Sequence, residues 1–291
     1  MKKSATLAVI GGDVRQAYLA GLLHAEGHEV RVFALERHKI DDGIPMHDLR
    51  TDLIGVQAVI LPMPAQYGDG QLNAPLSNAP HPLADVLDSI PAGTLTLGGA
   101  IPFWVHARAV QNELKLLDYL SREELATLNA VPTCEGAIQL AMEETPHTIQ
   151  GSKCLIIGNG RLGSLLAHKL QALGAHVTVS ARNARDFAKI ATAGLPSLDT
   201  RKLAGHLSGF DLIFNTVPAP VLGAAELSEL TPPCLVMDLA SLPGGVEAGA
   251  PVVSGCRIMH ALSLPGKVAP LSAARAVRDT VLTMLTEEGI L

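Results

Sequence analysis

Apolar residues in this chain come in short runs that stop at glycine or proline, and between the runs leucines and alanines recur at helical spacing. Residues 7–10 lead into Gly11-Gly12-Asp13, then into a helical pattern through Leu22 and Leu23 that ends at Gly27. Residues 29–33, 58–61 and 94–97 are further runs, closed respectively by a loop, by Pro62 and Pro64, and by Gly98-Gly99. Short apolar runs alternating with helical segments predict a parallel α/β domain over residues 1–120. Within it, residues 65–82 are rich in Pro, Asn and Gly and read as a loop over a cleft or surface.

Ser121-Arg122-Glu123-Glu124 has capping-box character and starts a helix expected to break at Asn129 and Pro132. Helical spacing resumes over 133–142, so 121–148 reads as a linking segment. The strand pattern then returns at 153–157, 176–180, 212–215, 234–238 and 251–254, making 149–271 a second parallel domain. Residues 272–291, with Ala276, Val277, Val281 and Leu285 on one stripe, predict a closing amphipathic helix that packs between the domains. The expected fold class is α/β: two parallel-sheet, Rossmann-like domains with a cleft between them.

Composition narrows the function. A chain of 291 residues can build two cores, and 48% hydrophobic with 17% charged residues excludes disorder. A net charge of −6 offers no footprint for nucleic acid. No apolar run approaches the ~20 residues of a membrane helix. The N-terminal segment, Met1 to Thr6, leads straight into a strand, and Gly11-Gly12-Asp13 interrupts the first run too early for a signal peptide, so a cytoplasmic protein is expected. Cys134, Cys154, Cys234 and Cys256 lie far apart, with no metal spacing; reduced thiols and no metal site are expected.

The strongest motif follows the first strand of the second domain: Gly158-Asn159-Gly160-Arg161-Leu162-Gly163. Gly158 permits a tight turn, Gly160 lets backbone approach a pyrophosphate, and Gly163 lets helix pack on strand, while the helix N-terminus offers N–H groups to phosphate. An NAD site usually has an acid at the end of the next strand; here no carboxylate appears before Asp186. Ser180, Arg182 and Asn183 suit the 2′-phosphate of NADP, so NADP is expected over NAD. Ligands bind beyond the carboxyl ends of parallel strands. There Thr216-Val217-Pro218 suits a loop passing the adenine ribose or nicotinamide, and Asp238 with Ser241 sits where the nicotinamide amide would be read. Asp238 equally suits a turn cap.

In the first domain, Gly12, Asp13, Arg15 and Gln16 begin a helix without three spaced glycines, a junction suited to a small carboxylate that Arg15 could grip. Asn129, Thr133 and Glu135 sit on the interdomain element, facing a ligand or capping a break. Among eleven histidines, His260 ends a sheet beside a Pro-Gly loop and suits a proton shuttle.

Four segments in order, Gly11–Gln16, Leu128–Ala137, Ile157–Gly163 and Ala261–Pro270, resemble the dipicolinate synthase A-subunit family. Asn159, where such fingerprints often carry Phe or Tyr, is a small departure that leaves the backbone contacts intact. The resemblance implies a fold like the 2-hydroxy-acid and alanine dehydrogenases. It implies oxidation of a dihydrodipicolinate-type intermediate of the lysine pathway to pyridine-2,6-dicarboxylate, with NADP accepting hydride. It also implies a partner, the flavoprotein-like B-subunit of dipicolinate synthase, in the mother cell of a sporulating bacterium. A homo-oligomer is expected. On that reading Arg15 and Lys267 hold the substrate's carboxylates, Asn129, Thr133 and Ser263 orient its ring, and His260 or Glu135 accepts the proton. An NADP-dependent amino- or hydroxy-acid dehydrogenase, or a nucleotide-binding regulatory subunit, are the other readings.

Overall fold

The computed structural model describes residues 3–40 and 43–291, so Met1 and Lys2 of the expected strand entry lie outside the described residues. Internal packing divides the chain into two units, Met1–Asn129 with Ala269–Leu291, and Ala130–Val268.

The first unit runs β1 (Thr6–Ile10), α1 (Val14–Ala25), β2 (Glu29–Phe33), β3 (Ile44–Pro45), α2 (Leu49–Asp52), β4 (Ala58–Ile60), β5 (Gln66–Tyr67), β6 (Gln71–Leu72), α3 (Leu83–Ser89), β7 (Leu95–Gly98), α4 (Phe103–Gln111) and β8 (Lys115–Asp118). Six of these strands form one parallel sheet in the order β3-β2-β1-β4-β7-β8. The runs are apolar throughout because both faces are covered. Leu7 and Val9 pack with Leu19 and Leu23 of α1, whereas Ala8 and Ile10 pack with Leu83 and Leu87 of α3. The segment 65–82 is more than a loop: β5 and β6 pair as an antiparallel hairpin. Its Leu72 and Asn73 turn inward onto the end of β1, where Gly12 N donates to Asn73 O at 2.7 Å.

α5 (Glu123–Glu144) carries the chain into the second unit as one unbroken helix, correcting the expected break at Asn129 and Pro132. Pro132 removes one backbone donor; burial of Cys134, Ala137 and Ala141 in the second core holds the helix regardless. Then come β9 (Lys153–Ile157), α6 (Arg161–Ala172), β10 (His176–Ala181), α7 (Ala184–Thr192), β11 (Ser197–Asp199), β12 (Leu212–Asn215), α8 (Ala224–Leu227), β13 (Cys234–Asp238), β14 (Cys256–His260) and α9 (Leu264–Val268). Their sheet, β11-β10-β9-β12-β13-β14, repeats the first unit's order. The last strand is Cys256–His260 rather than 251–254: the five residues pair along the whole of β13, from Cys234 opposite Cys256 to Asp238 opposite His260. α10 (Pro270–Glu287) starts with a proline in its first turn, two residues before the pattern suggested, and packs Val277, Val281 and Leu285 into the first unit's core. No helix among the described residues is long and apolar enough to cross a membrane.

Candidate functional site

In the second unit the chain leaves β9 through Gly158, whose φ of +99° is a glycine conformation. A Cβ added at Gly163 would fall 2.1 Å from Gly158 O, so helix and turn touch backbone to backbone. Gly160 is the N-cap of α6 and supplies no side-chain cap, and a Cβ there would meet open space. The first turn of α6 is therefore left for an acceptor from outside the helix, which is what a pyrophosphate requires. Thr216 Oγ1 donates to Ile157 O and Gly158 N to Ser180 O, fixing the turn to the strands beside it. Asn159 Nδ2 reaches Asp186 O at 3.4 Å. Arg161 and Leu162 open the helix, and Cys134 Sγ lies 3.7 Å from Leu162 O behind it.

The groups expected at a 2′-phosphate are differently placed. Ser180 is fully buried and its hydroxyl pairs with Thr200 Oγ1 at 2.8 Å, so it offers no surface to a ligand. Asn183 caps α7, accepting from Asp186 N and donating to Asp186 Oδ2. Arg182 is exposed.

Across the carboxyl edge of the sheet, Ile157, Asn215, Asp238 and His260 stand in one register row. Registered residues of parallel strands project to the same face, so the three polar side chains converge. Asp238 is fully buried. Its Oδ1 accepts from Asn215 Nδ2 (2.8 Å) and Ala240 N (3.1 Å), and its Oδ2 from Gly245 N (2.8 Å) and Val246 N (3.3 Å). Asn215 is held in turn by Val217, donating to its carbonyl and accepting from its N–H. Pro218 and Ser241 are exposed on the loops around this row. Asn215 and the Gly244-Gly245 pair were not among the expected site residues. Their signal was a polar residue closing each of two neighbouring apolar strands.

His260 ends β14, its side chain half exposed. Beyond it Ser263 adopts a φ of +60°, a left-handed conformation costing a non-glycine residue on the order of 1 kcal/mol. Lys267 is exposed on α9. α5 lies against α9 because Gly136 has no side chain: a Cβ there would sit 3.1 Å from Leu264 Cβ. Thr133 is part-buried one turn earlier on α5, and Glu135 pairs with Lys169 of α6 at 3.0 Å.

The first unit has the matching strand–turn–helix start, but Asp13 caps α1 by accepting from Arg15 N at 3.0 Å. The Arg15 guanidinium, with only 11% of its side chain exposed, holds the Asp13 carboxylate through Nε and Nη2 and donates to Met63 O. A cavity of about 10 Å3, room for one water at most, is lined by these two residues together with Gln16, Met63, Tyr119 and Val277. Gln16 Nε2 is buried there without an acceptor. Tyr119 donates to Leu61 O, and burial pushes its hydroxyl well above the usual phenol range. A Cβ on Gly12, at φ +101°, would strike Gln16. Asn129 is half-buried on α5, within the first unit.

Residues 6–120 match the model of the dipicolinate synthase A-subunit N-terminal domain, and residues 146–238 match an NAD(P)-binding family. The chain is 32% identical to the dipicolinate synthase A-subunit of Bacillus subtilis (strain 168), over 97% of its own length and 96% of the relative's. The chain belongs to the dipicolinate synthase A-subunit family. A crystal structure of the Bacillus halodurans member superposes with a TM-score of 0.89 at 29% identity, covering 97% of each chain. The transhydrogenase of Sinorhizobium meliloti, 16% identical with a TM-score of 0.72 over 96% of this chain and 93% of that one, shares the fold. The matched segment and the glycine turn together make the second unit a nicotinamide-dinucleotide-binding domain.

Proposed function

We propose that this protein oxidises a dihydrodipicolinate-type intermediate to pyridine-2,6-dicarboxylate, using NADP in preference to NAD. The observation that carries the reading is the uncapped start of α6 beside the Asn215–Asp238–His260 row, in a chain of this family. The nicotinamide, when bound, supplies the hydride acceptor; Gly158, Gly160 and Gly163 hold its phosphates. Arg182 is the cation for the 2′-phosphate, because Ser180 and Asn183 are engaged within the protein. His260, exposed and ending a strand, accepts the proton; Glu135, tied to Lys169, is the less suited base. Lys267 holds one substrate carboxylate, while Thr133 and Ser263 orient the ring. In the first unit the Arg15 guanidinium is taken up by Asp13 and Met63 O, so Gln16, whose Nε2 lacks an acceptor, and Asn129 are the residues proposed there for a substrate contact.

The role in endospore formation, within the cytoplasm of the mother cell, belongs to the same proposal, as does partnership with the flavoprotein-like B-subunit of dipicolinate synthase. Its test is to incubate the purified chain with freshly generated substrate and each oxidised cofactor, following pyridine-dicarboxylate absorbance. Product with NADP at a lower KM than with NAD supports the proposal, and a clear NAD preference removes the role of Arg182. Cofactor binding without turnover until the flavoprotein-like partner is added would instead make this chain a nucleotide-binding subunit. Within an active enzyme, Lys267→Ala should raise substrate KM about tenfold, the loss of one charge-assisted contact. An unchanged KM excludes that residue from the clamp.

A further inference from the structure

His260 Nδ1 faces Asp238 Oδ2 at 3.6 Å, the imidazole half exposed and the carboxylate wholly buried. Asp238 cannot turn away. Both of its oxygens are fixed by four N–H donors from Asn215, Ala240, Gly245 and Val246. Gly244 marks how tightly the pair is enclosed: a Cβ there would lie 2.6 Å from Asp238 Oδ2 and 3.7 Å from His260 Cε1. The sequence offered Asp238 as a reader of the nicotinamide amide or as a turn cap. Its hydrogen bonds leave it turned inward to the loop and sideways to His260.

We infer that Asp238 is a positioning residue for His260. It keeps the imidazole proton on Nδ1 and so leaves the lone pair of Nε2 facing the ligand side. The inference rests on the reading of His260 as the proton acceptor. Aromatisation removes two hydrogens, one as hydride, which the bound dinucleotide would accept. The other leaves as a proton to Nε2, and the electron pair of its broken C–H bond completes the aromatic ring. The imidazolium formed then stands beside a carboxylate already held in place, so no rearrangement accompanies the transfer.

Histidine tautomers decide the matter without any turnover. In protein carrying 15N-labelled histidine, two-bond proton–nitrogen spectra separate Nδ1–H from Nε2–H rings, and His260→Gln identifies the signal among eleven histidines. The expected result is a neutral His260 with its proton on Nδ1, the reverse of the preference of free histidine in water. An Nε2–H ring overturns the inference. Asp238→Asn should return the ring to the solution preference and lower kcat about tenfold or more, with little change in cofactor KM. A fall in kcat with the tautomer unchanged would make Asp238 merely structural. Should that variant fail to fold, the wild-type spectrum still decides. The two readings fail separately. An Nδ1–H ring in a chain without turnover under any condition sinks the proton-acceptor role and not the pair, whereas turnover with an Nε2–H ring does the reverse.

Discussion

The two units start alike: a parallel strand, a glycine turn, a helix, and the same six-strand order. They differ in what satisfies the helix. In the first unit Asp13 caps α1, Arg15 neutralises Asp13, and the carbonyl of Asn73 sits on Gly12 N, so the protein fills the position a phosphate would take. In the second, Gly160 caps α6 with no side chain. One topology thus yields a self-satisfied turn and a turn that needs a ligand, through the identity of a single cap residue and a hairpin folded inward.

The largest test acts on the second turn. Gly163→Val places a side chain against Gly158 O and should weaken NADP binding by about 100-fold or more, close to 2.7 kcal/mol, in a calorimetric titration. Unchanged affinity would mean the turn does not hold the phosphates. Gly160→Asp is a subtler probe, because a Cβ fits there and the carboxylate imitates Asp13. Binding should weaken about tenfold while the melting temperature holds or rises, since a cap stabilises by about 1 kcal/mol. Binding and stability moving together would break the comparison. Asp13→Ala should cost roughly 1–2 kcal/mol of stability in denaturant titrations and leave NADP affinity unaltered. A variant that gained dinucleotide binding would show that Asp13 alone, and not Asn73, closes the first turn.

The remaining test is alkaline. All four cysteines lie in the second unit, and burial pushes the Cys134, Cys154 and Cys234 thiols from an ordinary 9 up to about 12. The folded state favours the neutral thiol. Its contribution is therefore complete below pH 9 and is lost as pH rises from about 9 towards about 12, roughly 0.4 kcal/mol per thiol at pH 9 itself. The first unit should hold until the buried Tyr119 begins to titrate unfavourably, above pH 10. Hydrogen exchange resolved by segment between pH 8 and 10 should show protection falling first in the second unit; equal loss in both contradicts the assignment.

Most of this fold was legible because buried parallel strands announce themselves as apolar runs and the glycine turn has a fixed spacing. The hairpin at β5 and β6 was not. Each strand is two residues long, too short to set up an alternating pattern, and its proline- and asparagine-rich surroundings read as surface. Residues 251–254 outbid 256–260 on β-propensity, but an edge strand is chosen by the partner it pairs with, and β13 pairs with the mixed sequence Cys256–His260. Ser180 carried the right chemistry for phosphate and the wrong burial: it lies in a strand paired on both sides, and its hydroxyl is taken by Thr200, 20 residues away in the chain. Asp238 was legible as important and not as inward-facing, because most of its donors come from backbone that no residue type reveals.

The single tryptophan adds a practical consequence. Trp104 Nε1 donates to Gln66 Oε1 at 2.7 Å, and Gln66 stands on the hairpin that lays Leu72 and Asn73 over the end of β1. Excited at wavelengths that the three tyrosines do not absorb, emission from this protein is consequently a one-fluorophore gauge of whether that hairpin is seated, readable in stopped flow without labels.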